Sequence, residues 1–140
     1  MPVNLVELSS GRGILYSCSG LTTGAELIRA NDQLIAAGPA LLGKLAFGIV
    51  DFTATEQADL TTDHVHIITG QDVRLATMIP AGFAVAVIAP LDFPFGMSRM
   101  WRVFAEKTGW NIEVFKDTPS ADTWLRETVT DPSIAWPRPA

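Results

Sequence analysis

The chain has 140 residues, 48% of them hydrophobic, and a formal net charge of −5. That length suits one domain able to bury its own core, and the apolar content excludes an intrinsically disordered chain. The acidic balance, with basic residues scattered, argues against a general nucleic-acid binder, which carries a basic face.

Met1-Pro2-Val3-Asn4-Leu5-Val6-Glu7 offers no basic region followed by a long apolar run, so no signal peptide is expected. No uninterrupted apolar stretch reaches the roughly 20 residues a membrane-spanning helix needs. Val3 to Leu8 and Gly13 to Ser19 read as strands, joined by Ser9-Ser10-Gly11-Arg12 as a short hairpin loop. In the second, Ile14, Tyr16 and Cys18 alternate with Leu15, Ser17 and Ser19, which predicts one better-buried face. Cys18 is the single cysteine, so a disulfide framework within the chain and Cys-based zinc sites are excluded. The composition fits a reducing, cytoplasmic setting.

Thr23-Gly24-Ala25-Glu26 fits a capping box, and behind it Leu27, Ala30, Leu34 and Ile35 recur at helical spacing. Gly38-Pro39 ends that helix. Phe47 to Phe52 is a near-continuous apolar run, expected to be a strand buried on both faces of a parallel sheet. Thr53 to Asp63 reads as polar and turn-like. From Thr62 to Ile79, Val65, Ile68, Leu75, Ala76 and Ile79 suit a helix, with Gly70 a kink or break. Pro80-Ala81-Gly82 closes it, and Phe83 to Ala89 is the clearest central strand.

The next helix begins near Pro94 and Phe95, with Asp92 at its terminus and Phe93 and Phe95 in the loop before its periodic stripe. Met97, Met100, Trp101 and Phe104 form that stripe, while Arg99, Arg102 and Glu106 face outward. Arg102 and Glu106 are placed for an i,i+4 pair. Gly109 ends the helix, Asn111 to Lys116 is a strand, and Thr118-Pro119 starts a last helix buried through Ala121, Trp124 and Leu125. From Asp131 the chain is rich in Pro and expected to be loosely held, with Trp136 able to dock on the body. The order is β-β-α-β-α-β-α-β-α: one α/β domain over residues 1–130, then a Pro-rich tail, 131–140. Right-handed crossovers give a mixed, mostly parallel sheet of about five strands, an N-terminal β-hairpin and about four flanking helices.

Ile49-Val50-Asp51-Phe52-Thr53, Val85 to Pro90, Phe95-Gly96-Met97-Ser98-Arg99-Met100, Val114-Phe115-Lys116-Asp117 and Trp124-Leu125, in this order and spacing, resemble the SpoIIAA-like family. Those domains are related in fold to the sulfate-transporter and anti-sigma-antagonist (STAS) domains and to CRAL-TRIO lipid-transfer domains. The resemblance spans roughly Ile14 to Leu125 and implies a STAS-like fold. Anti-sigma antagonists of this fold carry an Asp-Ser-Ser-Gly segment whose serine is phosphorylated. The matching region here, Ala58-Asp59-Leu60-Thr61-Thr62-Asp63, lacks it. Thr61 and Thr62 are hydroxyls open either to phosphorylation or to helix capping.

His64 and His66, two apart, diverge on a helix and cannot share one metal. Cys18 reads as a small core hydrophobe, with no His placed to activate it. Asp51 ends a buried strand, where a carboxylate can reach a ligand crevice or bond the amides of the turn that follows. No phosphate loop, dinucleotide motif or nucleophile elbow is present.

The expectation is a non-enzymatic domain that binds a protein partner or forms a homodimer, without cofactor, metal, nucleic acid or membrane insertion. The alternative is a carrier or sensor for a small apolar or lipid-like ligand. Asp51, Thr53, Asp92, Phe93, Phe95 and Met97 are the candidate ligand or partner residues, and Phe93 and Phe95 lead them.

Overall fold

The computed structural model describes residues 2–134 and 136. Five strands, β1 (Val3–Leu8), β2 (Gly13–Thr23), β3 (Phe47–Asp59), β4 (Ala84–Ile88) and β5 (Asn111–Phe115), lie in the order β1-β2-β3-β4-β5. β1 pairs antiparallel with β2, from Val3 opposite Cys18 to Leu8 opposite Gly13, and every other pairing is parallel. The helices are α1 (Gly24–Ala37), the single turn α2 (Pro39–Leu42), α3 (Thr62–Ala76), α4 (Asp92–Phe104) and α5 (Thr118–Thr128). This is the mixed, mostly parallel five-stranded α/β sheet with an N-terminal hairpin that the sequence predicts, plus one short helix. No helix among the described residues is long and apolar enough to cross a membrane.

Strand alternation divides the core in two. Tyr16, Cys18, Phe52, Val85 and Val87 face α1, α3 and α4, through Leu27, Leu34, Leu75 and Trp101. Phe47, Ile49, Ala86 and Ile88 face the other way, onto Ala121, Leu125 and Val129 of α5 and its extension. Because β4 has helices on both sides, all five of its side chains are buried. Its unbroken apolar sequence follows from that.

Four local expectations are corrected. β2 and β3 outrun their predicted ends: Ser19 to Thr23 pair with residues 54–59, so the polar stretch after Phe52 is strand, not turn. Thr53 and Thr55 are β-branched, and this ribbon needs only one buried face, which polar alternation satisfies. α3 passes through Gly70 without a break, because Gly70 is exposed and its helix is held by neighbours on the buried side. α4 starts at Asp92, so Phe93 and Phe95 lie in its first turn and not in a loop. Pro94 fits there because first-turn amides have no partner inside the helix. Arg102 pairs with Glu113 at 2.5 Å and donates Nε to the Ile112 carbonyl at 2.9 Å, rather than meeting Glu106. The helix tightens to a 3₁₀ turn at Ala105–Thr108, which removes Glu106 from the i+4 position.

The segment after Asp131, expected to be loosely held, is seated where described. Asp131 pairs with Arg12, Ile134 is buried, and the Trp136 ring lies 5.4 Å from that of Phe47. Residues 135 and 137–140 of the predicted tail lie outside the described residues.

Candidate functional site

β3 continues well past its neighbour. Its pairing with β4 ends at Asp51 opposite Ile88, while its pairing with β2 runs on to Asp59 opposite Thr23. Asp51 marks the divergence, accepting the amide of Thr53 at 2.9 Å on its Oδ1. β2 follows the longer β3 through register shifts, and Gly20 takes a positive φ of 61° there. Beyond β4 the chain turns at Pro90 and starts α4 beside the protruding ribbon.

Between ribbon and helix lies an open groove of about 530 Å³, lined by Leu21, residues 56–59, Leu91, Phe93 and Pro94. Leu21, Leu91 and Phe93 are 52%, 45% and 51% exposed. Glu56 and Asp59 are the ionisable side chains of its wall, so the groove is apolar with an acidic rim.

The residues singled out from sequence divide among three places. Phe93 lines the groove. Phe95, two positions on and so on another side of the helix, packs against the core. Lys116 Nζ sits 4.6 Å from its ring centroid and the Arg99 guanidinium 5.9 Å away. Lys116 also donates to Asp92 Oδ1 at 2.7 Å, and that bond, together with the charge of Lys116, lowers the Asp92 pKa. Met97 is half-buried in the wall of an internal cavity. Asp51 and Thr53 stand at the base of the ribbon, outside the groove lining.

Thr61 is the N-cap of α3: its Oγ1 accepts the His64 amide at 3.1 Å, and His64 Nδ1 accepts the Thr61 amide at 3.1 Å. Thr62 is exposed, its hydroxyl 4.0 Å from the Met100 sulfur. His66 stacks on Phe104 with centroids 4.7 Å apart, while His64 turns to the cap, so the two imidazoles diverge. Among the described residues no group of three or more His, Cys, Asp or Glu is arranged to hold a metal ion.

A buried polar chain crosses the core beneath α1, α3 and α4. The Tyr16 hydroxyl donates to Asn31 Oδ1, Asn31 Nδ2 donates to Asp72 Oδ1 at 3.1 Å, and Trp101 Nε1 donates to Asp72 Oδ2 at 2.8 Å. Burial raises the Asp72 carboxyl to about 7, opposed by its bonds from Trp101 and Asn31. Burial likewise holds the Tyr16 hydroxyl well above its ordinary value, with smaller contributions from Asp72 and Cys18. These groups line a mainly apolar cavity of about 100 Å³. That is well below the roughly 300–1,000 Å³ of sites for drug-sized ligands, and well above the volume one water needs.

Sequence reasoning missed Leu21, Leu91, Glu56 and Asp59 in the groove, and Asp72 in the core. Asp72 was open to detection, because it falls on the same helical stripe as Val65, Ile68, Leu75 and Ile79. A carboxylate on a core-facing stripe needs buried donors.

No protein-family model matches the chain, and no curated protein matches it. Among solved structures it is similar to an uncharacterised protein of the DUF3478 family from Shewanella loihica PV-4, which has a SpoIIAA-like fold. The two share 15% identity over 88% of this chain and 91% of that one, with a TM-score of 0.55. With its strand order, hairpin and helices as described, the chain has a SpoIIAA-like fold.

Proposed function

We propose that this chain is a non-catalytic protein-interaction domain whose contact surface is the groove between the β2–β3 ribbon and the start of α4. One observation carries this reading. Of the seven large hydrophobic side chains exposed among the described residues, three, Leu21, Leu91 and Phe93, line this one groove. Apolar side chains gathered in a concave, acid-rimmed site mark a surface that a partner covers, whereas scattered ones need no explanation.

The alternative, a carrier for a lipid-like ligand, has less support. The cavity beneath α1, α3 and α4, of about 100 Å³, is smaller than the roughly 300–1,000 Å³ of sites that bury drug-sized ligands.

Val103 is the natural control, since it is 59% exposed but lies away from the groove. A photo-crosslinking amino acid placed at Phe93 or at Val103, in cells, tests the proposal. A defined partner captured from position 93 and not from position 103 supports it. Equal capture from both positions, or none from either, counts against it.

A further inference from the structure

The groove has a second property besides its apolar floor. Outside their ladder with β2, residues 54–59 of β3 make no backbone hydrogen bond to any other described element. The amide of Thr53, the first residue beyond the β4 pairing, is already taken by Asp51. From Ala54 to Asp59, therefore, β3 presents one unpaired strand edge, about 20 Å long at a strand's rise. Leu91, Phe93 and Pro94 line the same groove as residues 56–59, just beyond the end of β4, where a continuation of that strand would lie.

We propose that this edge accepts an extended, basic peptide segment of a partner protein as an added strand, with alternate apolar side chains seated on Leu21, Leu91 and Phe93. The inference rests on the interaction reading above and names the form of the partner. Backbone pairing supplies attraction independent of sequence, and pockets for alternate side chains supply selectivity. Charge decides between two occupants. A second copy of this chain, pairing edge to edge, would bring two acidic rims, each with Glu56 and Asp59, against one another, and like charges across a strand pair are unfavourable. A segment carrying Lys or Arg beside its apolar residues matches the acidic rim instead. In a strand, side chains of one face share the direction of their N–H groups, so such a segment reads the floor with one residue set and bonds β3 through one set of amides.

The test uses a synthetic peptide of about eight alternating valines and lysines and two N-methylated forms, one methylated on the valines and one on the lysines. Amide hydrogen exchange of the intact protein, followed by NMR, is the readout. The expected result is exchange slowed by about tenfold or more in the edge amides between Ala54 and Asp59. One N-methylated form should lose this effect and the other keep it, because only one edge of the peptide faces β3. Replacing Glu56 and Asp59 by Lys should weaken the peptide and favour its glutamate counterpart.

If both N-methylated forms bind as the parent does, with binding still abolished by Phe93→Ala, strand addition is overturned while the groove remains a contact surface. If the parent peptide leaves these amides unprotected at millimolar concentration, or binds equally well to Phe93→Ala, strand addition is likewise overturned. The crosslinking comparison then decides separately whether the groove binds a partner at all.

Discussion

The Trp101 indole on α4 donates to Asp72 on α3 at 2.8 Å, joining two helices through a carboxylate in the core. The other oxygen takes the Asn31 amide of α1, so one side chain ties together the whole helical layer over this face of the sheet.

That arrangement makes stability depend on pH. Burial raises Asp72 from 3.8 to about 7 in the folded state. The folded protein therefore binds this proton more tightly than the unfolded chain. The stabilisation is complete below pH 3.8 and is lost as pH rises toward and through 7. The slope is at most about 1.4 kcal/mol per pH unit. Asp72→Asn removes the ionisation and should flatten this part of the profile. Denaturant unfolding of both proteins across that range measures the difference.

Cys18 should be inert while the protein is folded. Its thiol is buried in the strand layer, and burial, with a smaller contribution from Asp51, pushes it up to about 12. Almost no thiolate is present at neutral pH, and the thiolate is the reactive form. A thiol reagent should label Cys18 only as fast as the protein unfolds; rapid labelling of native protein would contradict this burial.

Gly24 is needed for close approach between α1 and α3. A Cβ there would stand 2.1 Å from Cγ of the His64 ring, the ring whose Nδ1 accepts the Thr61 amide. Gly24→Ala should destabilise the fold by about 1–3 kcal/mol, the usual range for overpacking, although alanine is the better helix former. Replacing Gly70, where an added Cβ meets nothing within 4 Å, should have the opposite sign. Thermal unfolding of the two variants gives the comparison directly.

The C-terminal segment should contribute measurably to stability. Ile134 is buried in the second core cluster, beside Phe47 and Leu8. Ile134→Ala should cost about 2–5 kcal/mol in denaturant unfolding, and a cost close to zero would contradict this docking. Asp131, whose pKa is lowered chiefly by its bonds from Ser133, stays ionised to pair with Arg12. Arg12→Ala should therefore loosen the same segment, read out as faster proteolysis after Val129.

Much of this fold was legible in the sequence where one local signal agreed with the tertiary environment. The unbroken apolar run of β4, the alternation of Ile14, Tyr16 and Cys18, and the Thr23 cap each determine their element without reference to the rest. The Thr23 hydroxyl accepts the Glu26 amide at 3.1 Å, while the Glu26 carboxylate pairs with Arg29 instead of closing the expected box. The candidate groove was not legible, because it depends on strand lengths. Residues 53–59 are polar enough for a loop and become strand only because β2 extends beside them. Phe93 and Phe95 look alike in sequence, yet two positions on a helix separate them, one toward solvent and one into the core. Leu21 was hidden in a run of Gly and Thr whose bulged pairing no periodicity reveals.

On the proposed reading, Phe93 and Leu91 anchor a partner in the groove. Dissociation constants for the partner captured at position 93 test it most directly, measured against Phe93→Ala, Leu91→Ala and Val103→Ala in otherwise intact protein. Affinity should fall about tenfold or more for the first two, or about 1.4 kcal/mol each, and not at all for Val103→Ala. Unchanged affinity at Phe93 and Leu91, or an equal loss at Val103, would contradict it.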